Sequence, residues 1–129
     1  MTDSAQPTQD WSAADSAELY GINAWGAGYY SIADSGDAQV TVNTGEGETT
    51  VSLMDIVAGM RARSLEMPAV LRIRNVLDHR IKVLNEAFAD AISSGGYNNV
   101  YRGVFPIKVN QQCHVIEELG QSGWPLEPG

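Results

Sequence analysis

The chain contains two lysines, and one of them lies where an apolar segment ends. Lys108 belongs to Val104-Phe-Pro-Ile-Lys-Val-Asn-Gln111, a run typical of a strand that leads into a loop. An amine in apolar surroundings loses its proton more easily and can then form a Schiff base with a carbonyl compound. Lys82 instead lies four residues from both Asp78 and Glu86, a helical spacing that keeps an amine paired and charged. Lys108 is therefore the better candidate nucleophile, although a lysine at a strand end more commonly serves solubility.

The other reactive side chains form no recognisable site. His79 and His114 show neither His-x-x-x-His nor Cys/His ligand spacing, so structural roles are favoured and no metal ligand is predicted. Cys113 is the single cysteine, which excludes an internal disulfide, and a small buried thiol is expected there. The glycine pairs 26/28 and 45/47 lack the flanking residues of nucleotide-binding loops and are expected to permit turns.

The elements that position these residues differ between the two halves of the chain. In the first half the patterns predict a disordered tail, a capped helix, a β-hairpin and a second capped helix. These are the tail 1–10, helix 11–19 with Ser12 as N-cap, strands 29–32 and 38–42, and helix 52–63 with Ser52 as N-cap. Trp25, Tyr29 and Tyr30 line either a cleft or an interface, or else pack in a core.

Strand and helix alternate in the last sixty residues, which is typical of parallel β/α units. The predicted elements are strand 69–74, helix 75–94, strand 100–109 and helix 113–121. Asn75 is the expected N-cap of the first of these helices, Gly95-Gly96 ends it, and its apolar side carries Leu77, Ile81, Leu84, Phe88 and Ile92. Ligands of such folds bind at the carboxyl ends of the strands, and Lys108 falls at one of those ends. Glu127 ends the following strand and is a weaker candidate for the same site.

Two motifs in this chain are similar to those of one enzyme family. Val104–Gln111 resembles a motif of the biosynthetic arginine decarboxylases, (Y/F)-P-I-K-(V/C)-N-Q. Tyr20–Tyr30 resembles the opening motif of the same enzymes, Y-x-I-x-x-W-G-x-x-Y-(Y/F). These are pyridoxal-phosphate enzymes with an alanine-racemase type of barrel, and shorter relatives with that barrel lack the second motif. Further matches fall in the family's order, so the resemblance covers about residues 11–129. They are Pro68–Leu71, His79-Arg80, Asn85–Phe88, Tyr97-Asn98 and Tyr101, with departures at Gln112-Cys113 and Leu126–Gly129.

The resemblance implies an α/β fold that is incomplete in this chain. A complete (β/α)8 barrel needs about 250 residues, and the chain has 129. We therefore predict the N-terminal part of a pyridoxal-phosphate-binding barrel of the alanine-racemase type, preceded by a small helix-plus-hairpin segment. The predicted organisation is a tail over residues 1–10, the helix and hairpin segment over 11–67, and the first β/α units over 68–129.

The resemblance also implies an activity. The parent enzyme is expected to be a lyase that converts L-arginine to agmatine and carbon dioxide, in arginine catabolism and in polyamine and spermidine biosynthesis. Lys108 would be the catalytic and cofactor-binding residue, with pyridoxal 5'-phosphate as cofactor and Mg²⁺ as an accessory ion. The full-length enzyme is expected to be a homo-oligomer, with its phosphate, pyridine and guanidinium sites beyond Gly129. The alternatives are a non-catalytic binding or regulatory remnant, favoured by length, and another amino-acid decarboxylase or racemase of this barrel class, which Trp25-Gly26 disfavours.

Composition and charge limit the partners. The chain is 43% hydrophobic, which suffices for a packed core, and its net charge is −8. An acidic chain is a poor partner for nucleic acids and anionic membranes. Its charge serves either ordinary solubility or the attraction of a cationic substrate. The first residues lack a basic and an apolar region of a signal peptide, and no run reaches the roughly 18 apolar residues of a membrane span. A cytoplasmic location is therefore expected.

Overall fold

The computed structural model describes residues 10–123 and the backbone of residues 126–128. The predicted tail therefore lies outside the described residues, apart from Asp10. The chain divides between Val70 and Leu71 into two compact units. Unit 1 precedes this boundary and unit 2 follows it.

The described residues of unit 1 form three helices and a three-stranded antiparallel sheet in the order β1-β2-β3. Its elements are α1 (Ala13–Leu19), α2 (Ile22–Trp25), β1 (Tyr30–Ile32), β2 (Ala38–Asn43), β3 (Glu48–Ser52) and α3 (Leu53–Ala62). The predicted hairpin is confirmed, with Tyr30 opposite Val40 and Ile32 opposite Ala38. Ser52 caps α3 as predicted, because its hydroxyl oxygen accepts from the Met54 N–H at 3.1 Å.

Strand β3 was not predicted from the sequence. Its residues Glu-Thr-Thr-Val-Ser pair along β2, from Asn43 opposite Glu48 to Gln39 opposite Ser52. Val51 lies opposite Val40, which is the most buried residue of the unit at 2% exposure. A β-branched run after a glycine turn is the signal that identifies this strand.

In unit 2 the described part of the chain forms a long helix and one β-α-β unit. Its elements are α4 (Arg74–Gly95), β4 (Gly103–Phe105), a single 3-10 turn (Ile107–Val109), α5 (Cys113–Gln121) and β5 (Leu126–Pro128). Strands β4 and β5 are parallel, with α5 as the connection between them. The parallel β/α interpretation is thus confirmed for this pair of strands, while the barrel stays a prediction.

Two predicted strands need correction. Residues 69–73 pair with no other segment among those described, and Ile73 occupies the N-cap position of α4 instead of Asn75. An apolar run without a neighbouring strand gains no ladder hydrogen bonds and is not a strand. The strand predicted over 100–109 is limited to 103–105, because Pro106 has no N–H to donate to a ladder.

The core of unit 2 lies between α4 and α5. Ile81 of α4 packs with Val115 and Leu119 of α5, and Leu77 and Phe105 cover this cluster. Gly96 ends α4 with a positive φ of 60° and donates its N–H to the carbonyl oxygens of Ile92 and Ser93, as the glycine pair 95–96 predicted. Among the residues that the structure describes, no helix is long and apolar enough to cross a membrane.

Candidate functional site

Lys108 lies on the 3-10 turn that follows β4. The Val109 N–H donates to the Pro106 carbonyl oxygen at 3.0 Å, and the Asn110 N–H donates to the Ile107 carbonyl oxygen at 3.1 Å. Gly103, which begins β4, is buried, so the segment that leads to the lysine is anchored. The structure therefore places Lys108 just beyond the carboxyl end of a parallel strand, which is where the pattern predicted a ligand site.

The surroundings of Lys108 differ from the expectation. Its side chain is exposed, so the apolar environment on which the sequence argument relied is not found in this chain. At this residue a 3-10 turn over Ile107–Val109 replaces the predicted extended strand. Exposure leaves the amine accessible to a carbonyl compound.

Lys82 makes one of the two ion pairs that the helical spacing predicted, with Glu86 and not with Asp78. Its Nζ lies 3.8 Å from Glu86 Oε1, and both side chains are at least half exposed. Such a surface pair contributes little to stability. The contrast between an ion-paired Lys82 and a Lys108 on a strand-end turn favours Lys108 as the nucleophile.

The backbone of Glu127 lies beside that of Val104 in the parallel ladder of β4 and β5. Both strands end at the same edge of this small sheet, since their directions are the same. The side chain of Glu127 lies outside the described part of the chain. Its role stays a prediction.

A charged cluster of Arg74, Asp78 and Glu118 joins α4 to α5 and was not predicted. Arg74 Nε donates to Glu118 Oε1 at 2.6 Å, and the Glu118 side chain is only 11% exposed. Asp78, one turn after Arg74, lies 3.9 Å from the same Nε. Burial raises the pKa of Asp78 above its ordinary value, and the hydrogen bond and charge of Glu118 act in the same direction. The signal in the sequence is Glu118 itself, which lies on the same helical face as Val115 and next to Leu119.

An apolar cavity of about 280 Å³ opens beside α4. It is lined by Asn85, Ala89, Ile92, Ser93, Asn99, Val100 and Tyr101. Tyr101 also stacks on Phe88, with ring centroids 3.9 Å apart and planes within 1° of parallel. Phe88 was predicted on the apolar face of this helix. Its stack on Tyr101 packs the segment that follows α4 against that face.

The Trp25-Gly26 motif has a structural role in unit 1. A Cβ on Gly26 would overlap the Ile22 carbonyl oxygen and lie 3.1 Å from the Tyr30 carbonyl oxygen. Trp25 Nε1 donates to the Tyr20 carbonyl oxygen at 2.9 Å, and its ring lies 5.4 Å from that of Tyr30. The motif thus fixes the close turn from α2 into β1, while the Trp25 side chain remains 59% exposed.

The cysteine prediction was wrong, since Cys113 is exposed at the first position of α5. Its Sγ donates to Glu117 Oε1 at 3.3 Å, and this contact raises the pKa of the thiol above its usual range. Among the described residues no three His, Cys, Asp or Glu side chains converge as a metal site would require.

Comparison with known proteins places this geometry in context. No protein-family model matches the chain. A biosynthetic arginine decarboxylase of Gloeobacter violaceus is 43% identical over 121 residues, which cover 94% of this chain and 19% of the relative. A Prochlorococcus marinus enzyme of the same name is 44% identical, and the alignment covers 92% of this chain and 18% of the relative. A Nostoc enzyme of that name is 41% identical, and the alignment covers 92% of this chain and 17% of the relative.

The resemblance recognised from the two motifs is confirmed. Identity of this size over nine tenths of the chain shows that it is homologous to part of the biosynthetic arginine decarboxylases. The chain spans less than a fifth of the length of these relatives. Their name makes them decarboxylases, a class of lyases.

Proposed function

We propose that this chain is part of a pyridoxal-phosphate-dependent arginine decarboxylase, in which Lys108 holds the cofactor. The observation that carries the proposal is the position of Lys108. The only lysine of the Val104–Gln111 motif lies on the turn beyond a parallel strand, in a chain more than 40% identical to arginine decarboxylases.

The local structure fits a covalently attached cofactor. Lys108 is exposed, so its Nζ can reach a carbonyl group, and the hydrogen bonds of the turn hold its backbone. The Asn110 side chain accepts from the Gln112 N–H at 3.4 Å, which braces the turn against the start of α5. When bound, pyridoxal phosphate supplies an electron sink for the electrons left by departing carbon dioxide.

The proposed substrate is L-arginine and the product agmatine, a precursor of spermidine and other polyamines. The net charge of −8 is compatible with a cationic substrate. We expect the whole enzyme to act in the cytoplasm as a homo-oligomer. The resemblance also implies Mg²⁺, but the described residues offer no group of ligands for it, so no residue of this chain is proposed to bind it.

Reductive labelling tests the role of Lys108. A full-length enzyme that contains this segment is incubated with pyridoxal phosphate, reduced with borohydride, digested and examined by mass spectrometry. We expect the pyridoxyl group on the peptide that contains Lys108. The variant Lys108→Arg should lose the label, whereas the matched variant Lys82→Arg should keep it. Labelling chiefly at Lys82 would overturn the assignment.

A second experiment separates the whole enzyme from its part. The 129 residues alone should release no carbon dioxide from arginine, because positioning and electrostatic stabilisation by many groups supply most of an enzyme's rate enhancement. The full-length enzyme should release it. Release by the 129-residue chain that is lost on Lys108→Ala would show that these residues suffice.

A further inference from the structure

Lys108 lies between two elements that pack in the core of unit 2. Before it, Phe105 of β4 packs against the core cluster, and Val115 and Leu119 of α5 belong to that cluster. After it, the short segment 109–112 joins the lysine to α5. The position of the lysine relative to the core therefore depends on how this segment is held.

Asn110 links the Lys108 turn to the helix through two hydrogen bonds. Its backbone N–H donates to the Ile107 carbonyl oxygen at 3.1 Å, which closes the turn around Lys108. Its side-chain oxygen accepts from the N–H of Gln112, the N-cap residue of α5, at 3.4 Å. An asparagine that accepts from the backbone N–H two residues further on stabilises a local turn. One residue thus closes the turn and ties it to the start of α5.

The junction relies on this side chain because the N-cap residue offers none. The Gln112 side chain makes no capping hydrogen bond to the first turn of α5. Asn110 is half-buried, whereas Lys108 is exposed. An exposed lysine side chain is flexible, so the reach of its amine is determined by where the backbone places its Cα. A residue that fixes this backbone therefore also fixes the reach of the amine.

We propose that Asn110 is a positioning residue for Lys108. Its side-chain bond to the Gln112 N–H holds the turn in the place from which the lysine amine reaches the carbonyl carbon of pyridoxal phosphate. In that reaction the neutral amine condenses with the aldehyde, a C=N bond replaces the C=O bond, and one water molecule leaves. Asn110 acts through the turn and not on the cofactor. This inference rests on the proposed function.

Three variants of the full-length enzyme test this role. Asn110→Ala removes the acceptor, whereas Asn110→Ser keeps an uncharged oxygen for the same N–H. Asn43→Ala is the matched control, because the Asn43 side chain accepts from the Gly45 N–H at 3.1 Å, a bond of the same kind in unit 1. Each apoenzyme is titrated with pyridoxal phosphate, reduced with borohydride and digested. The pyridoxyl group on the Lys108 peptide is then quantified by mass spectrometry.

We expect Asn110→Ala to raise the pyridoxal phosphate concentration for half-maximal labelling of Lys108 by about three- to tenfold, the effect of one neutral hydrogen bond. Asn110→Ser should restore most of the affinity, and Asn43→Ala should match the wild type. The melting temperatures of the Asn110→Ala and Asn43→Ala apoenzymes should agree, since each variant loses one hydrogen bond of an exposed turn. A lower melting temperature in Asn110→Ala alone would assign the loss to folding and refute the positioning role.

Two further results would count against the positioning role and leave the proposed function intact. One is half-maximal labelling of Asn110→Ala at the wild-type concentration. The other is labelling of Asn110→Ser as weak as that of Asn110→Ala, because the hydrogen bond would then not be the cause. Absence of the label from Lys108 in the wild type would overturn the proposed function, and the positioning role with it.

Discussion

Gly26 shows how one residue of a motif can serve the fold of its own unit. Its φ of −65° suits any residue, so glycine is needed here for space alone. The carbonyl oxygens of Ile22 and Tyr30 occupy the position of a side chain, and both belong to the backbone, which cannot move aside cheaply. We expect Gly26→Ala to destabilise unit 1 by about 1–3 kcal/mol, measured as a lower urea midpoint of tryptophan fluorescence.

Gly59 provides the matched control within the same unit. It lies inside α3, where a Cβ would lie 3.3 Å from Nη1 of Arg63, the end of a flexible side chain. Because alanine is the better helix former, Gly59→Ala should leave stability unchanged or raise it by up to about 1 kcal/mol. If both alanines lowered the midpoint equally, the close approach at Gly26 would not be the cause.

The thiol of Cys113 should be a slow nucleophile. The hydrogen bond to Glu117 and its negative charge raise the pKa of Cys113, which reduces the thiolate fraction at neutral pH. We therefore expect Glu117→Gln to react faster with iodoacetamide at pH 7.5 than the wild type does. Since Cys113 is the single cysteine, the rate is read directly from the mass of the intact chain. Equal rates in both proteins would show that Glu117 does not slow the reaction of the thiol.

At the scale of the element, α1 depends on a reciprocal cap. The Ser12 hydroxyl oxygen accepts from the Asp15 N–H at 3.2 Å, and Asp15 Oδ2 accepts from the Ser12 N–H at 2.8 Å. We expect Ser12→Ala to weaken this seven-residue helix by about 1 kcal/mol, seen as faster amide exchange in α1.

The same cap predicts an acid dependence of α1. The hydrogen bonds from Ser12 lower the pKa of Asp15 below its ordinary value. Its contribution is therefore present above the ordinary aspartate pKa and is lost as the pH falls through the lowered folded value. The NMR chemical shifts of α1 should move toward random-coil values over that range. In Asp15→Asn this pH dependence should disappear, and its persistence there would point to another group.

Helices were easier to predict here than strands, for a physical reason. A helix satisfies its own hydrogen bonds, so the caps Ser12 and Ser52 and the terminal Gly96 mark its bounds in the local sequence. A strand needs a partner that local sequence does not reveal. Residues 69–73 have strand composition but pair with no described segment, and β3 was missed although its partner β2 was predicted.

The candidate site could be predicted only where a short sequence motif contains the reactive residue. The motif located Lys108, and the β/α pattern placed it beyond the end of a strand. Its exposure was not predicted, because the apolar run was interpreted as one strand to residue 109, whereas the strand ends at Phe105, before Pro106. The contact of Arg74 with Glu118 joins residues 44 positions apart, and no local pattern encodes such a pair.

The whole molecule leaves much apolar surface in contact with water. Buried hydrophobic side chains among the described residues are Ile22, Val40, Ile81, Val115 and Leu119. Far more large apolar groups are exposed, including Trp11 at 65%, Val70 at 76% and Val109 at 73%. Cores of this size bury little apolar surface, and that burial must offset the conformational entropy that the chain loses on folding. Each unit should therefore be only marginally stable.

We therefore expect the isolated 129-residue chain to self-associate and to bind an apolar dye, despite its net charge of −8. Among the described residues β4 and β5 pair only with each other, so their outer edges carry unpaired backbone groups that favour association. Sedimentation velocity over a range of concentrations should show species larger than the monomer. Calorimetry should show a broad transition, because two small units with separate cores need not unfold together. A sharp, cooperative transition of a strictly monomeric chain would contradict this prediction and would favour the alternative of an independent binding domain.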